Sequence, residues 1–99
     1  MPNITIQFHP VLGRVTPLPK ADVVACTTVE EALDAVFAKY PALVNAFLRP
    51  PTDRQDLFAR LLKYWYVYIN DEDIHFCPDR FQTRLENRDT IYIGPILAS

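Results

Sequence analysis

Polar and apolar residues alternate along some stretches of the chain and recur at helical spacing along others. Ile4-Thr-Ile-Gln-Phe8 has the period of a half-buried strand, with Ile4, Ile6 and Phe8 on one face and Thr5 and Gln7 on the other. Pro10, Gly13, Pro17 and Pro19 predict a long turn, and Ala21–Cys26 reads as a second strand, so residues 4–26 predict an amino-terminal hairpin. Thr28-Val-Glu-Glu31 fits a capping box, in which the Thr28 hydroxyl accepts from the backbone N–H of Glu31 and the Glu31 carboxylate reaches back. Val29, Ala32, Leu33, Val36, Phe37 and Tyr40 then form one apolar stripe, with Glu30 and Asp34 near the positive helix start and Lys39 near its negative end. Pro41 stops the regular helix. Pro41–Leu48 adds another turn or two, burying Leu43, Val44, Phe47 and Leu48.

Pro50-Pro51 breaks the chain again. Thr52 or Asp53 caps a shorter second helix that runs to about Leu62 and buries Leu57, Phe58, Leu61 and Leu62. Tyr64-Trp-Tyr-Val-Tyr-Ile69 is aromatic and β-branched throughout and predicts a strand. Trp65, Val67 and Ile69 lie on one face of it; Tyr64, Tyr66 and Tyr68 lie on the other. Asn70–Asp73 reads as a turn, Ile74–Cys77 as a short edge strand and Pro78–Arg84 as irregular. The last stretch begins with a polar turn, Glu86–Asp89, continues as the strand Thr90–Ile93, and leaves through Gly94-Pro95 into the apolar Ile96-Leu97-Ala98 before Ser99.

This order of elements predicts an α+β domain spanning 1–99: a mixed sheet of four to five strands, one main helix on one face and a short second helix. The expected core sets Ile4, Ile6, Phe8, Trp65, Val67, Ile69, Ile91 and Ile93 against Leu33, Val36, Phe37 and Tyr40. Such side chains contribute ~1.5–3 kcal/mol each when buried.

Composition narrows the function classes. The 99 residues are 49% hydrophobic and 22% charged with a net charge of −2, a balance that gives no basis for binding nucleic acid or an anionic membrane. No apolar run has the length of a membrane span, and the start carries neither a basic nor an apolar signal region, so a cytoplasmic location is expected. Two glycines exclude a glycine-rich phosphate loop. Cys26 and Cys77, far apart in sequence, are expected to be reduced, buried thiols. His9 and His75 belong to no ligand-spaced motif, and Asp71-Glu-Asp73 reads as a solvated turn rather than a metal loop. No metal, cofactor or catalytic residue is expected.

The pattern resembles the ubiquitin-related β-grasp sulfur carriers, such as the small subunit of molybdopterin synthase and the thiamine sulfur carrier. Ile4–Phe8 resembles their first strand. Thr28-Val-Glu-Glu-Ala-Leu33 and Tyr40-Pro-Ala-Leu43 resemble the two ends of their helix. Val67–Ile74, Leu85–Ile91 and Gly94–Ala98 resemble their later strand, turn and tail segments. The resemblance implies a ubiquitin-like β-grasp and a non-catalytic carrier. It further implies that Gly94, Pro95, Ile96, Leu97 and Ala98 form a tail inserted into a protein partner, either an adenylating activating enzyme or a synthase large subunit. Ser99 would then stand at the position adenylated or converted to a thiocarboxylate, for molybdopterin or related sulfur transfer. The family ends in Gly-Gly where this chain has Ala98-Ser99, and cutting back to Gly94 would remove most of the tail. In the polar turn, Asn87-Arg88 stands where the family has Asp-Gly, and Asn87 is expected to tolerate positive φ. The alternative is a non-conjugating β-grasp adaptor or assembly subunit. Its candidate interface is the outward row Tyr64, Tyr66 and Tyr68, joined by Tyr92 if the two long later strands pair. The second helix is the other candidate to cover that row.

Overall fold

The structure, a computed structural model, describes residues 2–14, 21–47 and 53–96. Five strands form one mixed sheet: β1 (Asn3–Phe8), β2 (Ala21–Ala25), β3 (Trp65–Ile69), β4 (Glu72–Asp73) and β5 (Thr90–Pro95), in the spatial order β2-β1-β5-β3-β4. β1 and β2 are the expected antiparallel hairpin, with Ile4 opposite Val24. β5 lies between β1 and β3, parallel to the first and antiparallel to the second. The helices are α1 (Val29–Lys39), α2 (Ala42–Phe47) and α3 (Arg54–Tyr64).

Every residue expected in the core is there. Ile4, Ile6, Phe8, Trp65, Val67, Ile69, Ile91 and Ile93 are buried in one cluster with Leu33, Val36 and Phe37, and the half-buried Tyr40 packs against it. Phe37 meets Trp65 edge to face at 6.1 Å between ring centroids, and Phe8 meets Tyr40 likewise at 5.8 Å. α3 adds Phe58 and Leu61 to this same cluster, with Leu57 and Leu62 half-buried against it. Both long helices therefore lie on the inward face of the sheet. The second helix does not cover the outward tyrosines. It is also as long as α1, running two residues past the expected end at Leu62.

The expected caps form. Thr28 accepts from the N–H of Glu31 at 3.3 Å, while the Glu31 carboxylate bonds the N–H of Thr27, one residue further back than a reciprocal box requires. Asp53 caps α3 by accepting from Asp56; Thr52, the alternative cap, lies outside the described residues. Leu43 is buried and Val44 half-buried as expected, whereas Leu48 and the side chain of Phe47 lie outside what is described.

Three local expectations are corrected. Ile74–Phe76 is a 3₁₀ turn, not an edge strand. Asn70 and Asp71 take φ of 50° and 70°, the left-handed pair of a tight two-residue hairpin, which places Glu72 opposite Ile69 and makes Glu72–Asp73 the edge strand. Asp73 then accepts from the N–H of His75 and turns the chain out of the sheet. Tyr64 closes α3 instead of opening β3. In the polar turn, positive φ falls on Arg88 (75°) rather than Asn87. Asn87 instead accepts from the N–H of Asn3 with its side chain.

The 83–85 segment is stitched to the start of α1 by Val29 N–H to Thr83 C=O and Leu85 N–H to Thr27 C=O. At the other end of α1, Asp22 of β2 takes an ion pair from Lys39 at 2.6 Å and a hydrogen bond from the Tyr40 hydroxyl at 3.1 Å. The Lys39 bond is the chief cause that lowers the Asp22 carboxyl below its ordinary value. A lowered native pKa means that this contribution is present above the unfolded carboxyl range and fades as pH falls through the native value. Acid unfolding below about pH 4 is therefore expected to be shallower in Asp22→Asn than in the parent, read as urea midpoint against pH. Parallel acid profiles would refute the assignment.

Candidate functional site

The outward face of the sheet and the end of β5 form one continuous surface. Alternation puts Gln7 of β1, Thr90, Tyr92 and Gly94 of β5, and Tyr66 and Tyr68 of β3 on this face, because their neighbours are the buried core residues. Register sets Tyr68 against Tyr92, with Gln7 on the far side of Tyr92, and Tyr66 against Gly94. The rings of Tyr66 and Tyr92 stack, 5.7 Å apart and 7° from parallel, and Tyr66 also leans on Tyr68 at 5.7 Å. Tyr66, Tyr68 and Tyr92 are thus a half-buried aromatic cluster. Tyr64, expected in the same row, is half-exposed at the end of α3 with the Lys63 ammonium 5.3 Å from its ring. Its backbone still takes part, since the Tyr64 carbonyl accepts from the N–H of Ile96 at 2.8 Å and lengthens the β3–β5 ladder past Pro95.

Pro95 fits this ladder without a lost bond. N–H groups along a strand point alternately to its two sides. That of Ile96 points toward β3, so the nitrogen of Pro95 faces the β1 side, where pairing has already stopped at Ile93. Gly94 is required for a different reason. Its φ is not positive. A Cβ there would stand 2.7 Å from the Cβ of His9 and 2.8 Å from the hydroxyl oxygen of Tyr66. The Tyr66 ring covers the bare backbone of Gly94, and His9 flanks both, 6.3 Å from the Tyr66 ring centroid. Gly94 and Pro95 are buried, and Ile96 is exposed. Leu97, Ala98 and Ser99 lie outside the described residues.

Burial pushes the Tyr66 hydroxyl up to about 12, aided by a hydrogen bond with Tyr92 and the phenols of Tyr92 and Tyr68. Next to this cluster a shallow depression of about 610 Å³ is lined by Gln7, Tyr68, Asn70, Asp71, Thr90 and Tyr92. Four of these, Gln7, Asn70, Asp71 and Thr90, were not foreseen as site residues. Alternation alone places Gln7 and Thr90 outward, but only the strand order brings them beside the β3 turn.

The remaining candidate chemistry is structural. His9 accepts from the N–H of Val11 through Nδ1, and Nε2 of His75 bonds the Leu62 carbonyl. Cys26 and Cys77 are buried free thiols, with burial raising both pKa values. Among the described residues no group of His, Cys, Asp and Glu is placed to hold a metal ion, and no helix is long and apolar enough to cross a membrane.

No protein-family model and no curated protein matches the chain in sequence. Solved structures do match in fold. Small archaeal modifier protein 1 from Methanosarcina acetivorans superposes with a TM-score of 0.79 at 19% identity, over 100% of this chain and 97% of that one. CysO from Mycobacterium tuberculosis, described as an antigen, gives 0.70 at 20% identity over 95% and 99%. A chain of the Amycolatopsis orientalis BexX/CysO complex gives 0.69 at 23% identity over 97% and 98%. The expected ubiquitin-like β-grasp is therefore the fold of this chain, one it shares with these three proteins.

Two outcomes are expected at the site. Gly94→Ala must displace Tyr66 or the β5 backbone and lowers unfolding stability by about 1–3 kcal/mol, the usual range for overpacking, measured by urea denaturation. A wild-type midpoint would refute the close approach. In an ultraviolet titration of the native protein, one phenol stays protonated until about pH 12 and is absent from Tyr66→Phe. Because a raised native pKa favours the protonated fold, the stability it carries is full below about pH 10 and is lost as pH rises through about 12.

Proposed function

We propose that the protein is a non-catalytic carrier or modifier of the β-grasp kind, which works by presenting its C-terminal segment to a protein partner. One observation carries the reading. β5 is paired on both edges up to Ile93 and on the β3 edge to Pro95, and it hands over to an exposed Ile96 at the end of the central strand. The fold likeness to a modifier protein supports the same reading, and the solved BexX/CysO complex supports a protein as the partner.

In its finer form the reading takes the expected tail Gly94, Pro95, Ile96, Leu97 and Ala98, with Gly94 and Pro95 held in β5 as its root and the inserted part beginning at Ile96, and makes an adenylating activating enzyme or synthase large subunit the partner. The Ser99 carboxylate would attack the α-phosphate of ATP, releasing pyrophosphate. Hydrosulfide-level sulfur from a donor would then attack the acyl carbon and displace AMP, leaving a thiocarboxylate for molybdopterin or related sulfur transfer. The chain itself supplies none of that chemistry; it supplies position. Ser99 brings a hydroxymethyl group beside the reacting carbon where a terminal glycine has none, and this demands a partner channel wider than one shaped for Gly-Gly.

The cluster of Tyr66, Tyr68 and Tyr92 favours a second reading, a non-conjugating adaptor or assembly subunit that binds through its sheet face. Tyrosines bring large apolar area with a polar end, the profile of an interface. Mass spectrometry of the intact chain, isolated from its native host, separates the two. The carrier reading expects a fraction heavier by the exchange of one oxygen for sulfur, or joined through its C-terminus to another molecule. A uniformly unmodified chain, also unchanged by ATP and the host's activating enzymes, would leave the adaptor reading. That reading in turn expects Tyr68→Ala to abolish capture of the partner.

A further inference from the structure

The depression between Tyr68, Tyr92 and the β3–β4 turn combines two tyrosine rings set at a steep angle to each other with the Asp71 carboxylate, the amides of Gln7 and Asn70 and the Thr90 hydroxyl. Among the described residues no side-chain hydrogen bond or ion pair engages Gln7 or Asp71. The other polar side chain of the turn is already committed: Asn70 donates to the Asp89 carboxylate at 2.9 Å and accepts from the N–H of Thr90 at 3.0 Å. The left-handed φ of 70° at Asp71 belongs to the tight turn that sets this residue at the rim. The surface is thus acidic at one end, aromatic along one side and amide-lined at the other.

We infer that this depression takes an arginine side chain presented by an extended segment of a protein partner. The proposal rests on the second reading above, in which a protein binds the tyrosine-bearing sheet face, and it names the chemistry by which that protein is recognised. A guanidinium is planar and weakly hydrated, so it lies flat against tyrosine rings. Its rigid fork of donors can serve the Asp71 carboxylate at one end, while the Gln7 amide at the other remains open to the partner's backbone. A lysine ammonium, a compact and strongly hydrated point charge, stacks less well on the same wall. The depression is shallow and open, which suits one side chain on a peptide laid across the face.

The test is an amide chemical-shift titration of the full chain, labelled with nitrogen-15, by the pentapeptide acetyl-Gly-Ser-Arg-Ser-Gly-amide. A second peptide carries citrulline in place of arginine, keeping the shape and removing the charge. The proposal expects saturable shifts at Gln7, Tyr68, Asp71, Thr90 and Tyr92 with the arginine peptide, and binding weaker by about threefold or more with citrulline. Asp71→Asn, which keeps a residue tolerant of left-handed backbone, is expected to weaken the arginine peptide by about threefold while leaving the remaining sheet amides unshifted. Equal response to both peptides, no change in Asp71→Asn, or shifts confined to another face would overturn it. So would shifts of these residues by maltotriose and not by the peptide, which would assign the wall to sugar stacking. The titration needs neither the tail nor an activating enzyme. Capture of a partner with no arginine selectivity sinks this inference alone, whereas arginine selectivity in a chain with no partner and no modification sinks the broader reading and leaves this one standing.

Discussion

Strand β5 is hydrogen-bonded on both edges, and the rest of the molecule is arranged by that fact. The parallel partner β1 begins the chain, and the antiparallel partner β3 follows a long helical excursion that has to return to the opposite side of β5. That return fixes α1 and α3 on one face, because each must bury its apolar stripe against Ile91, Ile93, Val67 and Ile6. The opposite face is left to the tyrosines, and its character follows from the same pairing. Tyr68 meets Tyr92, and Tyr66 meets a residue with no side chain.

The aromatic cluster and the exit of the chain are consequently one object. Tyr66 stacks on Tyr92, touches Tyr68 and lies over Gly94, so a single ring connects the middle of the sheet to its last strand positions. The Tyr64 carbonyl then holds Ile96 beyond the proline. A helix end and a strand end thereby share one ladder, and α3 passes into β3 with no intervening loop.

Much of this was legible in the sequence. Alternation at Ile4–Phe8, Trp65–Ile69 and Thr90–Ile93 gave the three central strands and their buried faces. Thr28 and Asp53 marked the helix starts because both chemistries are local. What escaped was decided by pairing at a distance or by backbone sign. Ile74-His-Phe-Cys77 alternates as well as a strand does, yet the hairpin register spends the pairing on Glu72 and Asp73 first. The left-handed position of the polar turn falls on Arg88, against residue preference, because the bond from Asp89 N–H to Glu86 C=O makes Arg88 the third residue of the turn. Gly94 read as the exit from the strand into the tail; its place as the bare floor beneath Tyr66 depends on register that one strand cannot announce. The depression beside Tyr68 needed the full strand order.

The position of β5 also has a mechanical consequence. Its bonds to β1 and β3 run across the strand axis, so a pull applied along that axis at Ile96 lies at right angles to them. The two ladders are therefore loaded in shear and share the strain, instead of opening bond by bond as a peeled edge strand would. A partner that grips the chain there can pull hard on it and still leave the sheet intact.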